Sequence, residues 1–310
     1  MRMSKTKPHY IGRYAPSPTG RLHLGNLRTA LLAWLHARLQ EGEFLLRFDD
    51  LDTPRVMAGS DEQIISDLKL LGLDWDCEVM YQSDCIADYE NALQFLAERG
   101  LCYECFCSRK DIQQAVSAPH GKTTVYPGTC KSLSPAERQI QVKKKAPAVR
   151  LMVESKTMEF ADGIAGFQQQ NLAQDCGDFV IKRADGLFAY QLAVVLDDIK
   201  QGVTDIVRGA DLLDSAARQL YLFDLFQAKS PIFWHMPLLH DEEGKRLAKR
   251  DGSDSLAEWQ AQGKTPQQLI AQFATDLGLL KSAADALSAK ELLAELDLQY
   301  FEKALVHAAC

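Results

Sequence analysis

The first hundred residues alternate between helix-like and strand-like patterns of apolar positions. Leucine and tryptophan recur at the three- and four-residue spacings of an amphipathic helix, at Leu24, Leu27, Leu31, Trp34, Leu35 and Leu39. Short apolar runs at 9–14 and 43–48 predict a strand on each side of this helix. Two further helices are predicted, one ended by Gly72 and one over 84–99 with Asp84 as its N-cap. This alternation predicts an α/β fold with a Rossmann-type, doubly wound parallel sheet.

The alternation stops at residue 101. Residues 101–145 hold four of the eight cysteines and three prolines, which is typical of an inserted module. Segments 179–183 and 187–192 flank Ala-Asp-Gly and predict an antiparallel hairpin, and 194–196 and 206–207 predict buried strands. We therefore expect four segments: the first half of the sheet domain (1–100), an inserted α+β module (101–192), the second half (193–253) and a short helical C-terminal region (254–310).

Composition narrows the class of protein. The chain has 310 residues, of which 46% are hydrophobic and 25% charged, which is typical of a globular protein and not of a disordered one. No apolar run reaches the roughly 18 residues of a membrane span, and the basic N-terminus lacks the apolar core of a secretory signal. Eight cysteines are too dilute for a disulfide scaffold, so we expect a cytoplasmic protein, without membrane association, that has a use for thiolates.

The formal net charge of −7 argues against a protein that coats nucleic acid. A local basic groove is compatible with it, because affinity for phosphates depends on local charge.

A turn and a helix start near the N-terminus form a candidate phosphate site. The turn begins with Ala15 and Pro16, and His23, Gly25 and Asn26 lie where the helix begins. A helix N-terminus offers unpaired amides and a partial positive charge, Gly25 allows close approach, and His23 can donate to a phosphate oxygen. The alternative is an ordinary turn beside a structural histidine.

A basic segment lies far along the chain, at Lys245, Arg246, Lys249 and Arg250. As a solvated surface run it needs no further explanation. Paired with a phosphate-binding helix start, however, it provides what an adenylate-forming enzyme requires, because cations stabilise the charge that develops on the transferring phosphate.

Together the two segments resemble the paired signatures of class I aminoacyl-tRNA synthetases. The HIGH-type motif corresponds to residues 23–26 and the KMSKS-type motif to residues 246–250. Residues 12–20, 47–52, 190–198 and 206–211 resemble the glutamyl branch, in the order in which that branch has them. The resemblance implies that His23 and Lys249 are catalytic and that ATP, arriving with Mg²⁺, is bound by Ala15, Pro16, His23, Gly25, Asn26, Arg246 and Lys249.

The same resemblance implies a glutamate pocket formed by Arg13, Ser17, Asp49, Tyr190 and Arg208. Charge logic agrees, because glutamate brings two carboxylates and one ammonium, and Arg208 can hold the side-chain carboxylate in a bidentate pair. Position 49 departs from the family pattern, which has glutamate there. The shorter aspartate leaves the carboxylate about 1.5 Å back, and Asp50 is a competing contact.

Only residues 254–310 follow the basic segment, fewer than the anticodon-binding region of a full glutamyl-tRNA synthetase. The chain therefore resembles the shorter branch of the family, which activates glutamate and attaches it to the queuosine base in the tRNA(Asp) anticodon. ATP, L-glutamate and queuosine-containing tRNA(Asp) are then the expected partners of a monomer. The alternatives are charging of a tRNA 3′ end, a non-catalytic tRNA-binding paralogue and a small-molecule adenylyltransferase.

The inserted module carries a candidate structural zinc site. Cys105 and Cys107 offer two thiolates from one turn and Cys130 a third, a spacing that suits zinc, although buried free thiols are the simpler reading. The resemblance to the shorter branch adds Tyr126 as fourth ligand. Cys102 and His120 compete with Tyr126 for that place.

The module also carries a candidate contact for the phosphates of the RNA, at Arg138, Lys122, Lys143, Lys144 and Lys145. A solvated basic face is the alternative for this run.

Overall fold

A computed structural model describes residues 9–108, 110–112, 125–237, 255–280, 282 and 284–309. The strands in these ranges are β1 (Ile11–Tyr14), β2 (Glu43–Phe48), β3 (Asp76–Tyr81), β4 (Cys102–Cys105), β5 (Ala148–Leu151), β6 (Thr157–Asp162), β7 (Gly166–Asn171), β8 (Phe179–Lys182), β9 (Asp205–Gly209) and β10 (Ile232–Met236). The helices are α1 (Leu24–Leu39), α2 (Ser60–Leu70), α3 (Ile86–Glu98), α4 (Pro135–Val142), α5 (Tyr190–Lys200), α6 (Ala216–Leu225), α7 (Leu256–Ala261), α8 (Pro266–Asp276), α9 (Ala289–Glu295) and α10 (Leu298–Ala308).

A five-stranded sheet with the order β10-β9-β1-β2-β3 forms the centre of the fold. All of its strand pairs are parallel. The chain adds strands on one side of β1 and later returns to add β9 and β10 on the other, so the order reverses between β1 and β9. The predicted doubly wound sheet is confirmed, and a ligand cleft is expected at the carboxyl ends of these two strands.

The segment from β4 to β8 adds no strand to the parallel sheet. It contains an antiparallel sheet of order β4-β5-β8, a separate β6–β7 hairpin and the short helix α4. The capping box of Ser134 and Glu137 begins α4, and Pro135 occupies its first turn. The module is thus of the α+β type that the sequence predicts.

Two predicted strands are wrong, whereas the strand predicted at 179–183 is confirmed as β8. Residues 190–200 form the helix α5, so the run at 194–196 is helical. Of the predicted strand 187–192, only Phe188 pairs, in an isolated bridge with Lys182. Consecutive residues of α5, from Leu192 to Val195, are buried. A helix covered on several sides has a continuous apolar run, which periodicity cannot distinguish from a buried strand. Asp84 also lies outside its predicted role, because Cys85 is the N-cap of α3.

The C-terminal helices share a core with α1. Leu269, Phe273, Leu292 and Phe301 lie in one buried cluster with α1 residues such as Trp34. They cover the side of α1 that the sequence pattern left to solvent, since Arg28, Ala30, Ala33, His36 and Ala37 are buried as well. The C-terminal helices therefore extend the sheet domain.

The β6–β7 hairpin covers β10, an edge strand of the parallel sheet. The Gly163 amide donates to the Phe233 carbonyl oxygen at 2.8 Å, and the His235 amide donates to Asp162 Oδ1 at 3.3 Å. A Cβ atom on Gly163 would lie 2.0 Å from the Trp234 ring, so glycine is required for this close approach.

Within the described ranges, no helix has both the length and the apolar character that a membrane span needs.

The buried side chain of His36 makes the stability of this shared core depend on pH. It is fully buried, its Nδ1 lies 2.9 Å from Tyr10 Oη, and burial lowers its pKa from 6.5 to about 4. Below pH 6.5 the unfolded chain takes up this proton while the folded protein does not. We expect the free energy of unfolding to fall by about 3 kcal/mol from this group as pH drops from 6.5 to 4.

Urea unfolding at several pH values measures this slope. The variant His36→Gln carries no titratable ring and is expected to lose that part of the slope. Parallel pH profiles for the wild type and the variant would contradict the assignment.

Candidate active site and metal-binding cluster

A polar cavity opens at the carboxyl ends of β1 and β9, where the strand order reverses. Its volume is about 200 Å³, and a second cavity of about 430 Å³ adjoins it and shares several walls. The two cavities bring together the site residues predicted within the described ranges: Arg13, Ala15, Pro16, Ser17, His23, Gly25, Asn26, Asp49, Tyr190 and Arg208.

The predicted Arg246 and Lys249 lie outside the described residues. The residues that flank the undescribed stretch 238–254 are both at the cavity. Pro237 lines it, and Ser255 forms a β-bridge with His23. The described residues on either side of this stretch therefore lie beside the predicted phosphate site.

The start of α1 has the properties of an anion site. His23 is its N-cap, and the Nδ1 atom of His23 accepts a hydrogen bond from the Asn26 amide at 3.2 Å. A neutral ring that accepts through Nδ1 carries its proton on Nε2, where it can be donated. No acidic residue lies in the first turn, so the positive end of the helix dipole is not neutralised there.

A buried network of charges holds one wall of the cavity. Arg47 Nε donates to Asp49 Oδ1 at 2.9 Å and Arg47 Nη1 donates to Asp198 Oδ1 at 2.7 Å. Arg13 Nε donates to the same Asp198 oxygen at 3.1 Å. Burial favours a raised pKa for Asp198, but Arg13 and Arg47 outweigh it and hold that pKa below its usual value.

Asp49, not Asp50, faces the cavity. Burial raises the pKa of Asp49, and the nearby Arg47 and Arg13 partly offset this. Asp50 instead accepts hydrogen bonds from the amide and hydroxyl of Ser83, at 2.8 and 2.6 Å. An anionic group at the wall of a cavity that also contains arginines can bind an ammonium.

Arg208 presents its guanidinium to the other wall. Its Nε donates to His235 Nε2 at 2.9 Å, Nη1 to Gln219 Oε1 at 2.6 Å and Nη2 to the Leu212 carbonyl at 3.2 Å. The side chain is 4% exposed, and this burial lowers its pKa, while the nearby Tyr190 opposes the shift. A guanidinium has five N–H donors, so Arg208 has donors beyond these three, and Tyr190 also forms a hydrogen bond with it.

Four charged or titratable residues around the cavity have no role predicted from the sequence: Arg47, Asp198, His235 and Asp162. One signal for the first two was present, because each is a charge inside an apolar run, in β2 and in α5. Charged residues are rarely fully buried unless they are paired. No such signal marks the partnership of Asp162 with His235, which are far apart in sequence.

The three predicted thiols form a cluster with Tyr126. The Sγ atoms of Cys105, Cys107 and Cys130 lie within 4.8 Å of one another, and those of Cys107 and Cys130 are 3.5 Å apart. Tyr126 Oη lies 3.4 Å from Cys105 Sγ and 3.7 Å from Cys107 Sγ. Donors at Zn–S distances near 2.3 Å in a tetrahedron are about 3.8 Å apart, so this set of four donors fits a tetrahedral metal.

Two N–H donors reach sulfur atoms of the cluster. The Phe106 amide donates to Cys130 Sγ at 3.4 Å, and Arg150 Nε donates to Cys105 Sγ at 3.2 Å. Cys102 lies on β4 outside the group of three, and His120 lies outside the described residues. Lys143, Lys144 and Lys145 are exposed just beyond α4.

Comparisons with known proteins agree with this geometry. The sequence profile of tRNA synthetases class I (E and Q), catalytic domain, matches residues 11–306. The chain is 48% identical over 287 residues to the "Glutamyl-Q tRNA(Asp) synthetase" of Nocardia farcinica, covering 92% of this chain and 89% of that protein. It is 43% identical over 303 residues to the protein of the same name from Symbiobacterium thermophilum, covering 93% and 92%.

A crystal structure of a glutamate tRNA ligase from Elizabethkingia meningosepticum, in complex with its amino acid, superposes with a TM-score of 0.79 at 26% identity. The match covers 94% of this chain and 65% of the ligase, so this chain spans just under two thirds of that enzyme. The fold, the cavity and the profile define a class I tRNA synthetase catalytic domain. The chain belongs to the class I tRNA synthetase family and, within it, to the group of glutamyl-Q tRNA(Asp) synthetases.

Proposed function

We propose that the protein activates L-glutamate with ATP to form glutamyl-adenylate and transfers the glutamate to the queuosine base in the tRNA(Asp) anticodon. The observation that carries this proposal is the charge pattern of the cavity, which is lined by three arginines and two carboxylates, Arg13, Arg28, Arg208, Asp49 and Asp211. The name shared by relatives at 43–48% identity supports the queuosine acceptor.

Glutamate fits the cavity in one orientation. Arg208 pairs with the side-chain carboxylate through its Nη atoms and Tyr190 lies beside it, whereas Asp49 receives the α-ammonium. Arg13 and Ser17 complete the pocket near the α-carboxylate. Arg47 holds Asp49 Oδ1 from behind, so the second carboxylate oxygen is left for the substrate.

Activation is a displacement at the α-phosphorus of ATP. An oxygen of the α-carboxylate bonds to this phosphorus while the bond to the bridging oxygen breaks, and pyrophosphate leaves with the electron pair. His23, the amides at the start of α1, Arg246 and Lys249 stabilise the charge on the transferring phosphate, and Ala15, Pro16, Gly25 and Asn26 shape the nucleotide site. Magnesium bound to ATP supplies charge neutralisation on the phosphates.

In the second step a hydroxyl of the queuosine cyclopentene ring attacks the carbonyl carbon of glutamyl-adenylate. The carbon–oxygen bond to phosphate breaks, AMP leaves, and the hydroxyl proton passes to solvent or to the leaving phosphate. The exposed lysines 143–145 and Arg138 are suited to hold the phosphates of the anticodon loop. All these groups come from one chain in the cytoplasm, acting as a monomer.

The decisive experiment is glutamate transfer. Labelled glutamate, ATP and the full-length protein are incubated with purified tRNA(Asp) that contains or lacks queuosine, and nuclease fragments are then separated. We expect label in the anticodon fragment, and only when queuosine is present. Label at the 3′ end would make the protein a synthetase that charges tRNA, and a protein without glutamate-dependent ATP–pyrophosphate exchange would be a non-catalytic paralogue.

We further propose that Cys105, Cys107, Tyr126 and Cys130 hold one structural zinc ion. The metal would tie the turn after β4 to the segment before α4. We expect Cys130→Ser to lose the zinc and to lower the unfolding temperature by roughly 5–10 °C, because metal binding contributes folding free energy. Elemental analysis of the purified protein and thermal unfolding measure both effects.

Cys77→Ser is the matched control, since Cys77 is an exposed free thiol. It is expected to change neither quantity. Tyr126→Phe tests the oxygen ligand and Cys102→Ser its competitor. Zinc content that is unchanged in Cys130→Ser would refute the site.

A further inference from the structure

Arg208 is held from behind by a histidine that lies outside the cavity. Arg208 on β9 and His235 on β10 are register partners in the parallel sheet, and both are buried. Their side chains meet through the Nε–Nε2 hydrogen bond of 2.9 Å. Among the lining residues that the structure describes, His235 is absent, so it can act on a ligand only through Arg208.

This hydrogen bond fixes the tautomer of the histidine. A guanidinium donates only, so His235 Nε2 must be the acceptor and cannot carry a proton. The ring proton then resides on Nδ1, which lies 2.5 Å from Asp162 Oδ2. His235 Nε2 can therefore accept the hydrogen bond from Arg208 only while the side chain at position 162 accepts the proton on Nδ1.

Asp162 is itself fixed by the inserted module. Its Oδ1 accepts from the amides of Ile164 at 3.0 Å and Ala165 at 2.8 Å, in the turn between β6 and β7. The same oxygen also accepts from the His235 amide. These contacts leave Oδ2 for the ring, so the hairpin sets the position of the histidine.

A second support holds Arg208 from the helices. Gln219 Oε1 accepts from Arg208 Nη1, while Gln219 Nε2 donates to Gln191 Oε1 at 2.9 Å. Gln191 Nε2 in turn donates to Ser215 Oγ at 3.0 Å. His235 and Gln219 therefore hold the guanidinium on two sides, and Arg208 itself lines the cavity.

Two charged groups act on the pKa of His235, namely Asp162 on β6 and Arg208 on β9. A hydrogen bond with the backbone of Leu212, in the segment before α6, acts on it as well. Burial lowers the pKa of His235, which agrees with a neutral ring. Burial alone would raise the pKa of Asp162, but His235 and the amides of Ala165 and Ile164 together hold it below its usual value.

We propose that Asp162 and His235 are positioning residues that aim the guanidinium of Arg208 at the side-chain carboxylate of the amino acid. The inference rests on the proposed function, in which Arg208 binds that carboxylate. The inserted hairpin thereby takes part in the choice of amino acid, although none of its atoms needs to touch the substrate.

Asp162→Asn tests this chain of contacts with little change in shape. The asparagine oxygen satisfies the turn amides, so its NH₂ group faces His235 Nδ1 and forces the proton onto Nε2. Two donors then oppose each other at Arg208. We expect KM for glutamate in ATP–pyrophosphate exchange to rise about 10- to 100-fold, with KM for ATP within about twofold, and the preference for glutamate over glutamine to fall.

His235→Gln separates positioning from a structural role of Asp162. The glutamine oxygen can accept from Arg208 Nε without a carboxylate behind it. In the His235→Gln background, Asp162→Asn should therefore raise KM for glutamate no more than about threefold. A full additional loss in the double variant would mean that Asp162 acts through the turn alone and would overturn the proposal.

Asp178→Asn is the matched control. Asp178 is also buried in the module and accepts from the Val153 amide at 2.8 Å, but it lines neither cavity. Its KM for glutamate should match the wild type. An unchanged KM in Asp162→Asn, with exchange activity intact, would refute the positioning role and leave the proposed function standing.

Nitrogen-15 NMR of the imidazoles gives a readout that does not depend on activity. The signals of His235 are identified by their loss in His235→Gln. We expect the Nδ1–H tautomer in the wild type and the Nε2–H tautomer in Asp162→Asn. A wild-type protein without glutamate-dependent exchange would end the proposed function and, with it, this inference, whereas an Nε2–H tautomer in an active wild type would end this inference alone.

Discussion

Arg208→Lys is expected to lower kcat/KM for glutamate in ATP–pyrophosphate exchange by about 100- to 1,000-fold. Lysine keeps the positive charge but cannot form the planar fork that pairs with a carboxylate. The substitution also leaves two buried acceptors, His235 Nε2 and Gln219 Oε1, without their hydrogen-bond donors. Loss of a buried, hydrogen-bonded charge contact typically costs about 2–5 kcal/mol.

Arg218→Lys provides the control for this experiment. Arg218 lies on α6, the α-helix that follows β9, and lines a separate cavity near the cysteine cluster. Its kcat/KM should stay within about threefold of the wild type. Equal losses in the two variants would show that the effect comes from folding, and a normal Arg208→Lys enzyme would remove Arg208 from the glutamate pocket.

Lys249→Ala is expected to lower kcat of the same exchange about 100- to 1,000-fold, with KM for glutamate within about twofold. A cation beside the transferring phosphate acts on charge that appears only in the transition state, so its loss affects the rate and not amino-acid binding. The attachment of the flanking residues Pro237 and Ser255 at the cavity supports this placement.

Lys245→Ala serves as the comparison, because it removes the same charge from the same basic segment. It is expected to retain most of the wild-type kcat. If both variants lose activity equally, the segment contributes only its overall charge. A rise in KM for glutamate that equals the fall in kcat would contradict the role of Lys249.

The first two strands of the parallel sheet and the helix between them were predictable because local pattern decides them, whereas β3 (Asp76–Tyr81) was not predicted. β2 coincides with its predicted run, and α1 coincides with its apolar stripe from Leu24 to Leu39. Burial on several sides defeated the same reasoning in α5, where a continuous apolar run gives no period. Nor could the pattern show what covers the second face of α1, since the residues that do so belong to helices more than 200 positions away.

The predicted site residues of the described ranges converge on one pair of cavities, although their individual roles remain predictions. The sequence motifs identified the residues at the wall and missed those behind it. Arg47, Asp198 and His235 act through partners far apart in sequence, and a single sequence does not show such pairs. The sequence could not decide whether Asp49 or Asp50 faces the cavity. The two are adjacent residues of the same type at a strand end, and only the structure shows in which direction each side chain points.

The β6–β7 hairpin that packs against β10 also limits how much of the insertion can be removed from this protein. An exposed edge strand presents unpaired amides and carbonyls to other chains, and proteins must protect such edges from association. Here Gly163 and Asp162 occupy the donor and acceptor groups of Phe233 and His235 that would otherwise face solvent. A miniature enzyme made by excising the insertion would therefore expose a template for aggregation along its own catalytic sheet.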